Sequence, residues 1–203
     1  MTPHTLREVG RLVWDMSEAE QAAVATCQMI LSADRVEHIL TDAEQRFVVE
    51  RFRPDETSHT QRFASWAAKL FGPKPSRQLP YGALVHKEML LSSISPRLRF
   101  ASCVATLCWN EKYALKSARR VVPILSLVDP GLGRTYAEVM DEERAHVEWG
   151  LAVIKRMESD RPDIFKMMEV YGNYVRTIYP IIMNHIHPKV YKRVLRESRS
   201  ATQ

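Results

Sequence analysis

The chain predicts an all-α fold: a four-helix bundle with extra helical pieces. Three observations lead there. Glycine is scarce, at 7 of 203 residues, and no stretch alternates apolar and polar residues as a half-buried strand does. Apolar residues recur instead at steps of three and four. Breaks rich in proline and glycine divide the chain into two helix pairs joined by one long connection, which suits a bundle with a crossover between its second and third helices.

The elements follow in order. Ser17-Glu18-Ala19-Glu20 has the form of a capping box, and Val13, Met16, Val24, Cys27 and Leu31 form an apolar stripe around it. A break is expected near Ser32 to Asp34. Asp42 can cap a second helix running through Phe47, Phe52, Phe63, Trp66 and Leu70, with Pro54 expected to kink or split it. FGPKPSRQLPYG, from Phe71 to Gly82, is the clearest linker, and a short apolar segment from Ala83 to Ser93 follows. Ser95-Pro96 opens a long helix over about 97–120. Pro123 and Asp129-Pro130-Gly131 mark the next turn. A further helix covers about 132–157, and a last one covers 164–182, ahead of a polar, basic tail. The expectation is one domain over 1–203, with its bundle core at about 17–158 and the C-terminal helix and tail at 160–203.

Composition narrows the class. The chain is 45% hydrophobic and 26% charged, an ordinary globular balance. No apolar run reaches the ~18–20 residues of a membrane span, and the N-terminus has no apolar stretch of the secretory kind. Cys27, Cys103 and Cys108 form no even framework and no CxxC, which reads as reduced thiols in a cytoplasmic protein. The net charge is +5, with basic residues gathered in LKSARR (Leu115 to Arg120) and KVYKRVLRESR (Lys189 to Arg199). Cations are favoured at helix C-termini by the backbone dipole. Without interleaved aromatics, nucleic acid is not an expected partner.

The chemistry lies in a repeated pattern. AEVMDEERAHVEWGLAV carries Glu143-x-x-His146, a carboxylate and an imidazole one turn apart on one helical face. One such motif means little. A second copy exists, Glu56-x-x-His59, and each glutamate follows another acid, Asp55 or Glu142. Each copy has a partner on the preceding helix. Glu111 sits on the stripe of Val104, Leu107, Cys108 and Leu115; Glu20 sits on the stripe of Val13, Met16, Val24 and Cys27, with Glu18 the competing choice. Counted from the expected turns, both halves bring their glutamates to matching heights. Four carboxylates buried together are prohibitive without cations, and mixed oxygen and imidazole ligands suit iron or manganese. Tyr136, seven residues before Glu143, lies on the same face and reads as a packed tyrosine. His4, His38, His86, His185 and His187 fall outside the pattern.

With Glu20, Glu56-x-x-His59, Glu111 and Glu143-x-x-His146, the chain resembles the ferritin-like di-iron carboxylate superfamily. DEERAHVEWG is similar to the second iron motif of the ribonucleotide-reductase small subunits and the p-aminobenzoate N-oxygenases. Val139 stands where the latter carry a third histidine, which sets the chain apart from that activity. The resemblance implies a ferritin-like bundle whose six residues hold two iron ions, with manganese as the other candidate metal. It also implies that Asp55 and Glu142 orient the ligand histidines. The function it implies is that of a non-haem di-iron oxygenase or oxidase, activating O2 to hydroxylate, N-oxygenate or desaturate a small organic substrate. Electrons would come from an external donor, and a homodimer is an allowed assembly. Met16, Phe52, Phe63, Trp66, Met140 and Trp149 are the candidates for an apolar lining. The alternatives are a ferroxidase or iron-binding ferritin-like protein, and a tRNA-modifying hydroxylase of the same superfamily.

Overall fold

A computed structural model describes residues 1–74 and 95–200, with backbone only over 178–188. The described residues form six α helices and one π-helical turn: α1 (Pro3–Glu37), α2 (Asp42–Phe47), the π turn (Val48–Phe52), α3 (Arg53–Phe71), α4 (Pro96–Val128), α5 (Pro130–Asp160) and α6 (Pro162–Ser200). The linker beyond Lys74 and the apolar segment expected after it, with His86, lie outside the described residues, as do the side chains of His185 and His187.

Helix α1 packs on α3 and α4, α4 packs on α5 and α6, and α3 faces α5. Contacts along these pairs fix their directions. Ser17 Oγ donates to the Thr60 carbonyl at 3.0 Å, and a Cβ on Gly10 would overlap Phe71, so α1 and α3 run antiparallel. Gly150 lets α5 approach α4 closely, since a Cβ there would sit 2.8 Å from the Cys108 Cβ. Arg62 of α3 reaches Glu142 of α5, while Lys69 reaches Asp129, so this pair is antiparallel too. The end of α3 therefore lies by the α4–α5 turn, whereas the start of α4 lies by the end of α1, where Arg97 pairs with Glu37 at 2.7 Å.

Several helix boundaries differ from the expected ones. Helix α1 begins at Pro3 behind the cap Thr2, so Ser17 is an interior residue and caps nothing. It also continues past Asp34. That carboxylate accepts the backbone N–H groups of Ile39 and Leu40 at 2.8 and 2.6 Å, tying down the turn that follows. His38 closes the helix in the left-handed region (φ 49°), a conformation polar residues tolerate better than branched ones. Thr41, not Asp42, caps α2, in a complete capping box with Glu44.

Proline acts differently at its two positions. Pro54 sits in the first turn of α3, where a missing N–H costs nothing, and the expected split of the helix is the π turn just before it, closed by Arg53 N–H bonding to the Val48 carbonyl. Pro123 lies inside α4, which runs on to Val128 because Val121, Ile124 and Leu125 are buried on either side of it. The basic tail is no tail: α6 continues to Ser200, with Val190, Tyr191 and Val194 packed inward and Glu197 accepting from Thr2 and Thr5 at the start of α1.

Two apolar clusters fill the interior. One gathers Cys27, Ile30, Phe52, Val104, Leu107, Trp149 and Val153. The other gathers Val13, Phe63, Val121, Leu125, Tyr136, Val139 and Met140. On each of α1, α3, α4 and α5 the charged candidate residues fall between these two sets. The polar cluster is therefore a layer between two apolar blocks.

Candidate metal centre

Glu56, His59 and Glu143 are fully buried (0%), His146 is 1% exposed and Glu111 8%. Glu20 is the least enclosed, its side chain 12% exposed. Ligand atoms of Glu20, Glu56, His59 and Glu143 lie within 4.8 Å of one another, a group that could hold a metal ion. Glu111 stands close enough to Glu143 and Glu20 for their charges to act on it, and His146 joins through Nδ1, which is 2.6 Å from Glu143 and 3.0 Å from Glu56. All six sequence candidates thus converge. The competing acid, Glu18, points elsewhere and pairs with Lys74 at 2.5 Å.

The helix spacing explains the convergence. Glu20 lies 17 residues before the end of α1 (37 − 20) and Glu111 lies 17 before the end of α4 (128 − 111). Glu56 lies 14 after the start of α2 (56 − 42), and Glu143 lies 13 after the start of α5 (143 − 130). The first half holds one residue more, and its π turn is the kind of feature that absorbs one.

The two imidazoles are held in the same way. Each turns Nδ1 inward and Nε2 outward onto the acid that precedes the other motif's glutamate. His59 Nε2 lies 2.6 Å from Glu142, and His146 Nε2 lies 3.2 Å from Asp55. Glu142 is braced by Arg62 at 3.1 Å and Asp55 by Arg51 at 3.1 Å. An Nε2–H donated outward leaves Nδ1 as the inner ligand atom, the orienting arrangement found around metal-bound histidines.

Sequence reasoning missed Arg62, which no motif marks. It also assigned Phe52 to a pocket wall. Its ring stacks on His146 instead, with centroids 4.0 Å apart and planes at 18°, and meets Trp149 edge-on at 5.5 Å. The step of seven from Phe52 to His59 was the available signal. Phe63, Met140 and Trp149 are likewise buried in the two apolar clusters. Tyr136 is a packed residue 5% exposed, tilted against Phe63 at 6.0 Å, and burial pushes its hydroxyl well up.

Electrostatically the centre is an excess of buried negative charge. Burial, then the neighbouring carboxylates Glu143, Glu20 and Glu111, push Glu56 well above the usual carboxyl range. Burial, then Glu143 and Glu20, do this to Glu111. Burial would raise Glu143 too, but the adjoining imidazoles of His146 and His59 outweigh it and hold the group at about 2. Burial disfavours charge on His59, yet Glu143 and Glu20 push it up to about 10. Even so, both oxygens of Glu56, Oε1 of Glu143 and Nδ1 of His59 are buried without a well-aligned hydrogen bond. Buried polar atoms of native proteins are otherwise nearly always satisfied. Unpartnered atoms that all face one small space fit a missing cation, and oxygen and imidazole donors without thiolate fit iron or manganese.

No protein-family model, curated protein or solved structure matches the chain.

Proposed function

We propose that the chain is a ferritin-like, dinuclear metalloprotein that uses iron and O2 to oxidise a small organic molecule. The observation that supports this most is the set of buried, unpartnered atoms on Glu56, His59 and Glu143 at the meeting point of four helices. Glu20 and His59 would hold one ion, Glu111 and His146 the other, and Glu56 and Glu143 lie between. In this reading the connection from α3 to α4 is a crossover, since those helices start and end at opposite ends of the bundle. When bound, an iron pair supplies O2 activation and Lewis acidity.

The chain's own residues set the conditions for this. Glu142 and Asp55 fix the imidazole tautomers. Arg62 and Arg51 hold those two acids in place through ion pairs at 3.1 Å. Phe52, Phe47 and Trp149 close the side of His146 against water. Glu20, the most exposed of the six, leaves its own side as the approach for a small molecule. A second reading, a ferroxidase without an organic substrate, is favoured by Phe52, Phe63, Met140 and Trp149 being core residues that line no approach to the site.

The test is metal analysis of the purified protein, followed by ferrous loading and exposure to air. About two irons per chain and a transient visible absorption band on O2 addition are expected. The absence of bound iron or manganese, with Glu111→Ala unchanged in every respect, refutes the metal centre. O2 uptake that exhausts ferrous ion stoichiometrically, whatever organic compounds are added, selects the ferroxidase.

A further inference from the structure

A pair of thiols lies beside the metal layer and supplies no ligand to it. Cys27 follows Glu20 on α1 by seven residues (27 − 20), two helical turns on and along the same face. Cys103 precedes Glu111 on α4 by eight residues (111 − 103). Helices α1 and α4 pack together and run antiparallel, with the start of α4 beside the end of α1. Both thiols therefore stand on the same side of the metal layer, about 10 and 12 Å from their glutamates along the helix axes. Both are buried, at 0% and 1% exposure, in one apolar cluster. After burial itself, Cys103 acts most strongly on the Cys27 thiol, ahead of Arg53, Glu111 and Glu143. Cys108 stands apart. Five residues on from Cys103, it projects about 140° away, against Gly150 of α5.

Burial holds the thiol of Cys27 well up and pushes that of Cys108 up to about 11, so neither is a nucleophile toward solvent. Burial does not prevent the loss of electrons to an oxidant already inside the bundle. We infer that Cys27 and Cys103 are an internal two-electron donor to the metal pair and close to a disulfide between α1 and α4, an inference that rests on the proposed iron centre. In that step two S–H bonds break and one S–S bond forms. The two electrons turn two ferric ions ferrous, and two protons leave to solvent. The charges of Glu111 and Glu143 reach Cys27, so the donor lies next to the site it serves. One oxidation can then be followed by re-reduction with no other protein bound. The bridge joins residues 76 apart (103 − 27), one on each helix pair, so its closure also ties the two halves of the bundle together.

The experiment has two arms. In the first, the metal-free chain is treated with the thiol oxidant diamide, denatured, alkylated and mapped by peptide mass spectrometry. The expected product is a Cys27–Cys103 disulfide with Cys108 alkylated. Three alkylated cysteines, or a bridge that includes Cys108, overturns the inference whatever the metal does. In the second arm, the chain is loaded with ferrous ion in the absence of air and given a pulse of O2 sufficient for one oxidation, with catalase present to remove free peroxide. Ferric absorption should rise and then fade as the same bridge forms and free thiols fall from three to one. The metal-free chain given the same pulse should keep all three thiols. The fading should be about tenfold slower in Cys27→Ala and in Cys103→Ala, with circular dichroism unchanged, and normal in Cys108→Ala. Ferric absorption that persists in the unsubstituted protein, that fades equally in Cys27→Ala, or that fades without loss of thiols overturns the inference. Failure of the iron reading is distinct, because no iron is then retained while the diamide bridge still forms.

Discussion

Replacing Glu56 by leucine should make the metal-free protein more stable, the opposite of what an ordinary core substitution does. Glu56 is 0% exposed, both of its oxygens lack a hydrogen bond, and three other carboxylates surround it. A buried polar group without a partner costs about 1–3 kcal/mol, and replacing buried ionic groups by apolar residues of similar volume is often stabilising by ~1–4 kcal/mol. His146 keeps its contact with Glu143 at 2.6 Å, so no new orphan is created there. A gain of about 2–4 kcal/mol is therefore expected, or a rise of roughly 5–10 °C in Tm for a chain of this size. Scanning calorimetry in the presence of a chelator reads it directly. With ferrous or manganous ion at about 1,000 Kd the order should reverse: the unsubstituted protein gains about 4.1 kcal/mol, and Glu56→Leu gains nothing. A variant that melts below the parent in chelator, or that is still stabilised by metal, refutes the account of Glu56 as a ligand held at a cost.

Three further outcomes follow from the same geometry. Glu56, Glu111 and His59 all have native pKa values raised above their unfolded ones, His59 from 6.5 to about 10. Groups of that kind stabilise below the unfolded pKa and lose the contribution as pH rises through the native one. The metal-free Tm should thus fall between pH 6.5 and 9, the loaded protein should show no such slope, and metal uptake at neutral pH should release protons measurable in weak buffer. Asp55→Asn, which weakens the support of His146 Nε2, should lower metal affinity about 10–100-fold in chelator competition; unchanged affinity would show that Asp55 does not orient that ring. Phe52→Ala should cost about 3–5 kcal/mol in denaturant unfolding and shift Trp149 emission, while Phe52→Tyr retains the stack; a smaller loss would mean that the ring closes nothing.

The helical class and the six site residues were legible because both leave periodic marks. An acid on an otherwise apolar stripe, as at Glu111, has only a few physical explanations, and two Glu-x-x-His copies at matching heights reduce them further. The boundaries were less legible. The capping-box form at Ser17 was real as a pattern, but inside a 35-residue helix the hydroxyl finds the Thr60 carbonyl instead. Pro123 reads as a helix end only until the burial of Val121 and Leu125 is known. The tail read as polar because its inward residues, Val190 and Val194, are few, and α1 must be in place before they have anything to pack against.

What the sequence alone determined is which residues are able to bind a cation and on which helical face each lies, since covalent spacing and a 3.6-residue period suffice for that. Only the tertiary structure decided between Glu20 and Glu18, gave each histidine the other motif's acid as its brace, and placed Phe52 on His146. All of these are contacts between helices, set by packing across distances along the chain that no local pattern records.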